Sequence, residues 1–161
     1  MNASFRLDRI DLRILAELQL NGRISNVELA GRVHLSPSPC LARVKRLQSL
    51  GYISGYTAVI NLAQLGEVLT VFTEVTLKNH RQVDFARFQT ALSKEECCLE
   101  CHLISGGHDY LLKFVTAGIA DYQRIMESLI ERDVGIDKYF SYVVIKSPLI
   151  RHNMPIERIF G

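Results

Sequence analysis

The sequence predicts an α+β chain in two parts. The first is an N-terminal winged or helix-turn-helix domain, residues 1–60 with a linking strand. The second is a C-terminal ferredoxin-like βαββαβ domain, residues 61–161. Three observations predict it. Apolar positions keep helical spacing through the first fifty residues. After that, short β-branched runs alternate with helical patterns in the order βαββαβ. The charge divides at the same place: residues 1–55 carry eight Lys/Arg against four Asp/Glu, and the remainder carries eleven against thirteen.

The first helix is predicted over Leu7 to Leu18, with Ile10, Ile14, Leu15 and Leu18 on one face, Asp8 as its cap, and Asn21 with Gly22 as its stop. Ser25 and Glu28 have the spacing of a capping box, in which the hydroxyl caps the helix and the carboxylate reaches back. They open a second helix that turns Leu29, Ala30 and Val33 inward. His34 and Leu35 make a tight turn into a third helix, Ser36 to Leu50, capped by the Ser36 hydroxyl with Pro37 in its first position. Leu41, Val44, Leu47 and Leu50 form its expected buried stripe, Arg43, Lys45 and Arg46 lie off it, and Gly51 supplies a left-handed stop. Two short helices joined by a tight turn, the second basic, suit insertion into the major groove of DNA. The same arginines also fit a plain solvated face.

Tyr52 to Ile60 reads as a strand with Gly55 as a kink, and a connector follows over Asn61 to Gly66, so the domain boundary falls within 55–66. The second part runs strand Val68 to Leu77, helix 81–92 with Phe85, Phe88, Ala91 and Leu92 inward, and strands 97–104 and 109–116 around a hairpin at Ser105, Gly106, Gly107 and His108. Helix 119–131 and strand Tyr139 to Ile145 complete it. Both helices cover one face of such a sheet. The other face is apolar enough to predict a partner, most simply a second copy of the chain.

No apolar run reaches membrane-spanning length and the start MNASFRLDRID has no signal-peptide core, which predicts a cytoplasmic protein with no membrane partner. Cys97, Cys98, Cys101 and His102 are spaced as a metal or thiol site would be. Strand alternation instead puts Cys97, Leu99 and Cys101 on one face and Cys98 and His102 on the other, which favours buried free thiols and no metal. Ser36, Ser38 and Cys40 have no histidine in a context to activate them, and no phosphate loop is present, so no enzyme and no cofactor are predicted.

Four segments in this order resemble the Lrp/AsnC family of leucine-responsive and feast/famine transcription regulators: LDRIDLRIL from Leu7, SPSPCLARVKRL from Ser36, GYI from Gly51 and GGHDYLL from Gly106. The resemblance covers roughly residues 6–156. It implies that the Ser36 helix recognises double-stranded DNA and that the second domain binds a small amino-acid effector. It further implies a homodimer that assembles into an octamer or similar ring. On that resemblance the DNA-contacting set is Ser25, Asn26, Ser36, Ser38, Arg43, Lys45 and Arg46. Arg43 and Arg46 would read guanine at two points and Lys45 would meet phosphate. Ser25 and Asn26 serve equally well as simple caps.

The effector set implied is Ser105, Gly106, Gly107, His108, Asp109 and Tyr110, with Ser141 on the last strand. Glycine N–H groups suit a carboxylate and Asp109 an ammonium group, although Asp109 equally suits a bond to the turn backbone. The chain departs from the family pattern at Ala42, where many relatives carry another basic residue. It also departs at Gly107 and His108, in place of an acidic and then an aromatic residue, and at Arg151 to Pro155, in place of a Thr-rich segment. His108 is then either a group titrating near neutrality or an exposed turn residue. The function expected is a sequence-specific transcription regulator modulated by an amino acid; the alternative is a ligand-independent architectural protein that bends DNA.

Overall fold

In a computed structural model, residues 7–161 are described, and they divide into two units. One holds the chain up to Val59 together with Leu149–Gly161; the other is Ile60–Pro148.

In the first unit, α1 spans Arg9–Leu20, α2 Asn26–Arg32 and α3 Pro37–Ser49. Ile14, Leu29, Ala30, Val33, Cys40 and Leu47 form its core. The cap of α1 is a full reciprocal box: the Asp11 N–H donates to Asp8 at 2.8 Å and the Asp8 N–H donates to Asp11 at 3.2 Å. The box expected at α2 is half formed. The Glu28 N–H donates to the Ser25 hydroxyl at 3.2 Å, but the Glu28 carboxylate turns to Arg32 at 2.7 Å, one helical turn on. Between α2 and α3, His34 is left-handed at φ 57°, and the N–H groups of His34 and Leu35 close on Gly31 and Ala30. This is a Schellman stop with a histidine where glycine is usual.

Two expectations for α3 change. Ser36 holds the cap position without a side-chain cap bond, because Pro39 stands where the N–H of the third helical residue would be. The buried stripe is Cys40, Val44 and Leu47, while Leu41 and Leu50 are exposed. A strict three-residue spacing drifts by about 60° per step around a 3.6-residue helix, so Leu41 and Leu50 cannot share one face. Gly51, at φ 78°, does end the helix. Its N–H reaches Gln48 and that of Tyr52 reaches Leu47, both at 3.0 Å.

Tyr52 to Ile60 is not a strand: it runs as irregular, mostly exposed backbone, with a single 3-10 turn at Leu62–Gln64 beyond it. Among the described residues no strand lies beside it to take up its N–H and C=O groups, and β-propensity without a ladder does not make a strand.

The second unit has strands β1 (Leu69–Leu77), β2 (Cys98–Leu103), β3 (Tyr110–Thr116) and β4 (Ile136–Val143), with helices α4 (Gln82–Leu92) and α5 (Ile119–Glu131). All pairings are antiparallel in the order β2-β3-β1-β4, the ferredoxin-like arrangement predicted. Val71, Val75 and Leu77 of β1 and Tyr110, Leu112 and Phe114 of β3 meet Phe88, Leu92, Tyr122, Met126 and Leu129 of the helices in one core. Ile119 and Ile130 are exposed at the ends of α5. The opposite face carries Phe72, Leu111, Val115, Phe140 and Tyr142, mixed with charged side chains. A register shift between Cys98 and Glu100 overturns the simple alternation expected of the cysteines, so Cys98 and Cys101 both join the helix-side rows. Among the described residues no group of three or more His, Cys, Asp or Glu is placed to hold a metal, and no helix is long and apolar enough to cross a membrane.

The expected second domain of 61–161 is shorter at its end, because Leu149–Gly161 packs with the first unit. There a final helix, α6 (Ile156–Phe160), lies on α1, where Ile156 and Phe160 join Leu12 and Leu15 around an apolar cleft. The Gln19 amide of α1 holds the backbone of Met154 at both ends, donating at 3.2 Å and accepting at 3.0 Å.

Candidate nucleic-acid and ligand sites

Asp11 lies on the same side of α1 as Ile14 and Leu15 and is fully buried, a position a carboxylate tolerates only when charged partners meet it. α3 supplies them. Arg43 donates to Asp8 at 2.7 Å and to Asp11 at 2.8 Å, and Arg46 donates to both Asp11 oxygens at 2.9 Å. Burial pushes the Asp8 carboxyl up, but the Asp11 N–H and Arg43 outweigh it and hold Asp8 below its usual value. The guanidinium groups expected to read bases thus also hold α3 against α1, while keeping 26% and 37% of their surface exposed. Sequence reading missed this role for Asp8 and Asp11. Its one signal was an aspartate three and four residues before Ile14 and Leu15, in line with the apolar stripe.

The outward surface of α3 is made by other side chains. Ser38, Ala42, Lys45 and Ser49 are exposed, and Leu41 beside them is 42% exposed. The exposed Ser36 hydroxyl makes no cap bond at the entrance to the helix. Ser25 is occupied as the α2 cap. Asn26 donates to the Pro37 carbonyl at 2.8 Å, tying the start of α2 to the start of α3, and its Oδ1 is buried without a partner among the described residues.

In the second unit the β2–β3 connection is longer than a two-residue turn. The Ile104 N–H bonds Asp109 O at 2.9 Å, leaving Ser105 to His108 as the loop. Ser105, Gly106 and Gly107 are exposed. Gly106 sits at φ 141°, and among the described residues the N–H groups of Ser105 to His108 make no backbone hydrogen bond. Asp109 is largely satisfied from inside: the Leu77 N–H donates to it at 2.7 Å and His80 meets it at 3.0 Å. Its carboxylate thus pins the irregular end of β1 rather than its own turn.

His108 is neither a bare turn residue nor solvent-facing. It packs edge-on against Phe140, lies 3.1 Å from the Thr76 hydroxyl, and faces Glu74 at 3.3 Å, while the Tyr142 hydroxyl donates to Glu74 at 2.9 Å.

Of the other two expected ligand residues, one belongs to the interior and one stays at the surface. Tyr110 is 1% exposed, with its hydroxyl taken by Gln89 at 2.9 Å. Ser141 lies exposed on β4, at the edge of the sheet, where it pairs across β1 with Thr73 and is bonded to the Tyr122 hydroxyl at 2.5 Å. Even and odd strand positions point to opposite faces, and Tyr110 falls in a row that packs against α4.

Comparison with known proteins finds two families along the chain. Residues 7–54 match the family described as winged helix-turn-helix DNA-binding, and residues 70–154 match the Lrp/AsnC ligand binding domain. The leucine-responsive regulatory protein of Escherichia coli (strain K12) is 48% identical over 140 residues, which cover 87% of this chain and 85% of that protein. Among solved structures, a transcriptional regulator of Neisseria meningitidis in complex with L-Met superposes with a TM-score of 0.87 at 30% identity, covering 95% of this chain and 99% of that one. An AsnC family regulator of Agrobacterium tumefaciens gives a TM-score of 0.88 at 26% identity, with the same coverage.

Proposed function

The chain belongs to the Lrp/AsnC family of transcription regulators, and from that premise we propose that it binds operator DNA through α3 and that a small amino acid bound by its second unit modulates this binding. One observation carries the reading. A DNA-binding helix-turn-helix and a Lrp/AsnC ligand binding domain occupy one chain in succession, over residues 7–54 and 70–154. The expectation of a non-enzymatic protein agrees with the relatives, which are transcription regulators.

At the DNA, α3 enters the major groove with Ser38, Ala42 and Lys45 outward, while Lys45 and Ser36 meet phosphate. Arg43 and Arg46 act as positioning residues. They hold α3 against α1 through Asp11, so the helix is presented at a fixed angle.

At the ligand site, the open N–H groups of Ser105, Gly106, Gly107 and His108 form the seat for an amino-acid carboxylate. Asp109 borders that seat, with its Leu77 and His80 contacts orienting it, and supplies the negative charge for the ammonium group. The complex of the Neisseria meningitidis relative with L-Met supports an amino acid as the ligand class. A homodimer formed over the open sheet face, and a ring of such dimers in the cytoplasm, gives ligand binding a way to act. An amino acid that favours one assembly shifts the spacing of two α3 helices by its differential affinity.

The experiment is titration calorimetry of the full chain against the twenty amino acids, with DNA affinity and assembly mass followed in parallel. Binding of one amino acid with a change in either readout supports the proposal. Tight DNA binding that no amino acid changes supports the architectural alternative.

A further inference from the structure

We propose that the reading face of α3 selects thymine through methyl contacts rather than guanine through arginine; this rests on the DNA-binding function proposed above. The first observation is what that face lacks. Arg43 and Arg46, the side chains able to grip guanine at two points, are held by Asp8 and Asp11 at 2.7–2.9 Å on the flank toward α1.

The second observation is what the face presents. At about 100° per residue, Ser38, Ala42, Lys45 and Ser49 fall within an arc of roughly 60° opposite Cys40 and Leu47, with Leu41 on its shoulder. All five are exposed and lie along the part of the helix that would enter the groove, while Arg46, on the opposite shoulder, is turned to Asp11.

The chemistry of that surface discriminates. Ala42 and Leu41 offer only hydrocarbon. Set against a G·C pair, they would strip water from the guanine O6 and N7 or the cytosine amino group and return no hydrogen bond. Thymine alone carries an apolar group in the major groove, its C5-methyl, so the same contact against an A·T pair buries carbon on carbon. Ser38, a short hydroxyl, accepts or donates to any base and does not reverse this preference. Lys45 is exposed and meets no carboxylate among the described residues, and it supplies affinity through phosphate without dictating sequence. The predicted operator therefore has thymines at the two neighbouring positions that face Leu41 and Ala42 in each half-site.

The test begins by selecting DNA from a randomised duplex pool with the full-length protein, with and without a mixture of amino acids. Affinities are then measured by fluorescence anisotropy on three versions of the selected site. One is unmodified. The second has deoxyuridine for thymine, which keeps every hydrogen-bonding group and removes only the methyl. The third has 7-deazaguanine for guanine, which removes the N7 acceptor.

The proposal expects deoxyuridine to weaken binding about three- to five-fold at each of the two positions, the worth of one buried methyl, with 7-deazaguanine without effect. It also expects Ala42→Gly and Leu41→Ser each to bring the ratio of thymine-site to deoxyuridine-site affinity to about one at one position, whatever either variant does to overall affinity. Indifference to deoxyuridine, or a loss with 7-deazaguanine opposite α3, overturns the thymine reading and leaves DNA binding standing. Failure to enrich any DNA overturns the DNA-binding function itself.

Discussion

The Asp11→Ala substitution tests the central contact of the first unit. It deletes a carboxylate that is 1% exposed and accepts from Arg43, from Arg46 and from the Asp8 N–H. Removing one partner of a buried ion pair costs about 3–5 kcal/mol when the other charge is left stranded. Here the stranded charges are not sealed in: Arg43 and Arg46 keep 26% and 37% exposure and regain water. Arg43 also keeps Asp8. The expected loss is therefore nearer about 2–3 kcal/mol, the upper part of the usual range for a point substitution.

The chain has no tryptophan to report on this unit, so hydrogen exchange read peptide by peptide is the suitable assay. Protection of amides in α1 and α3 should fall by roughly 30- to 150-fold, at a tenfold per 1.4 kcal/mol. Amides of β1 and β3 in the second unit should not change. Asp11→Asn, which keeps the shape and one acceptor oxygen but not the charge, should lose less than the alanine variant. Unchanged protection in α1 and α3 after Asp11→Ala would refute the clamp, and would return Arg43 and Arg46 to the set of base readers.

Three further outcomes are expected. Asp8 is held below its usual carboxylate range, so its contribution to stability is complete above about pH 4 and is lost as pH falls through its lowered folded value. The acid limb of a stability profile should therefore shrink in Asp8→Asn, and an identical limb would count against the Arg43 contact. Burial, then the neighbouring Cys101, pushes the Cys98 thiol up to about 12, and burial also raises Cys40, Cys97 and Cys101. Iodoacetamide at pH 8 should label Cys98 far more slowly in the folded chain than after denaturation, whereas rapid labelling would mean that β2 opens. Truncation after Arg151 removes Met154, Ile156 and Phe160 from α1. The first unit should lose about 1–3 kcal/mol through newly exposed apolar surface, checked by exchange in α1, and no loss would show α6 to be an ornament of the fold.

Element type was legible because period and punctuation are local. The capping aspartate at Asp8, the glycine stop at Gly51 and the strand runs that became β1 and β3 each act within a few residues, and all appear in the structure. The candidate site was legible only in outline. The loop from Ser105 to His108 is where glycine placement put it, but Tyr110 proved to be interior, since strand parity decides a face only once the covered side is known. Leu41 changed sides because a three-residue spacing is not a helical period. The strand expected over Tyr52 to Ile60 depends on a partner that local sequence cannot supply.

By itself, then, the sequence determined the order of elements, the helix-turn-helix, the ferredoxin-like sheet and the family, because all of these follow from short-range pattern. Only the tertiary structure decided what the two arginines of α3 do. A guanidinium on a helix face looks the same in sequence whether it meets solvent, a phosphate or a buried carboxylate. Asp11 lies more than thirty residues away, and it was packing of α1 on α3 that brought it within 3 Å.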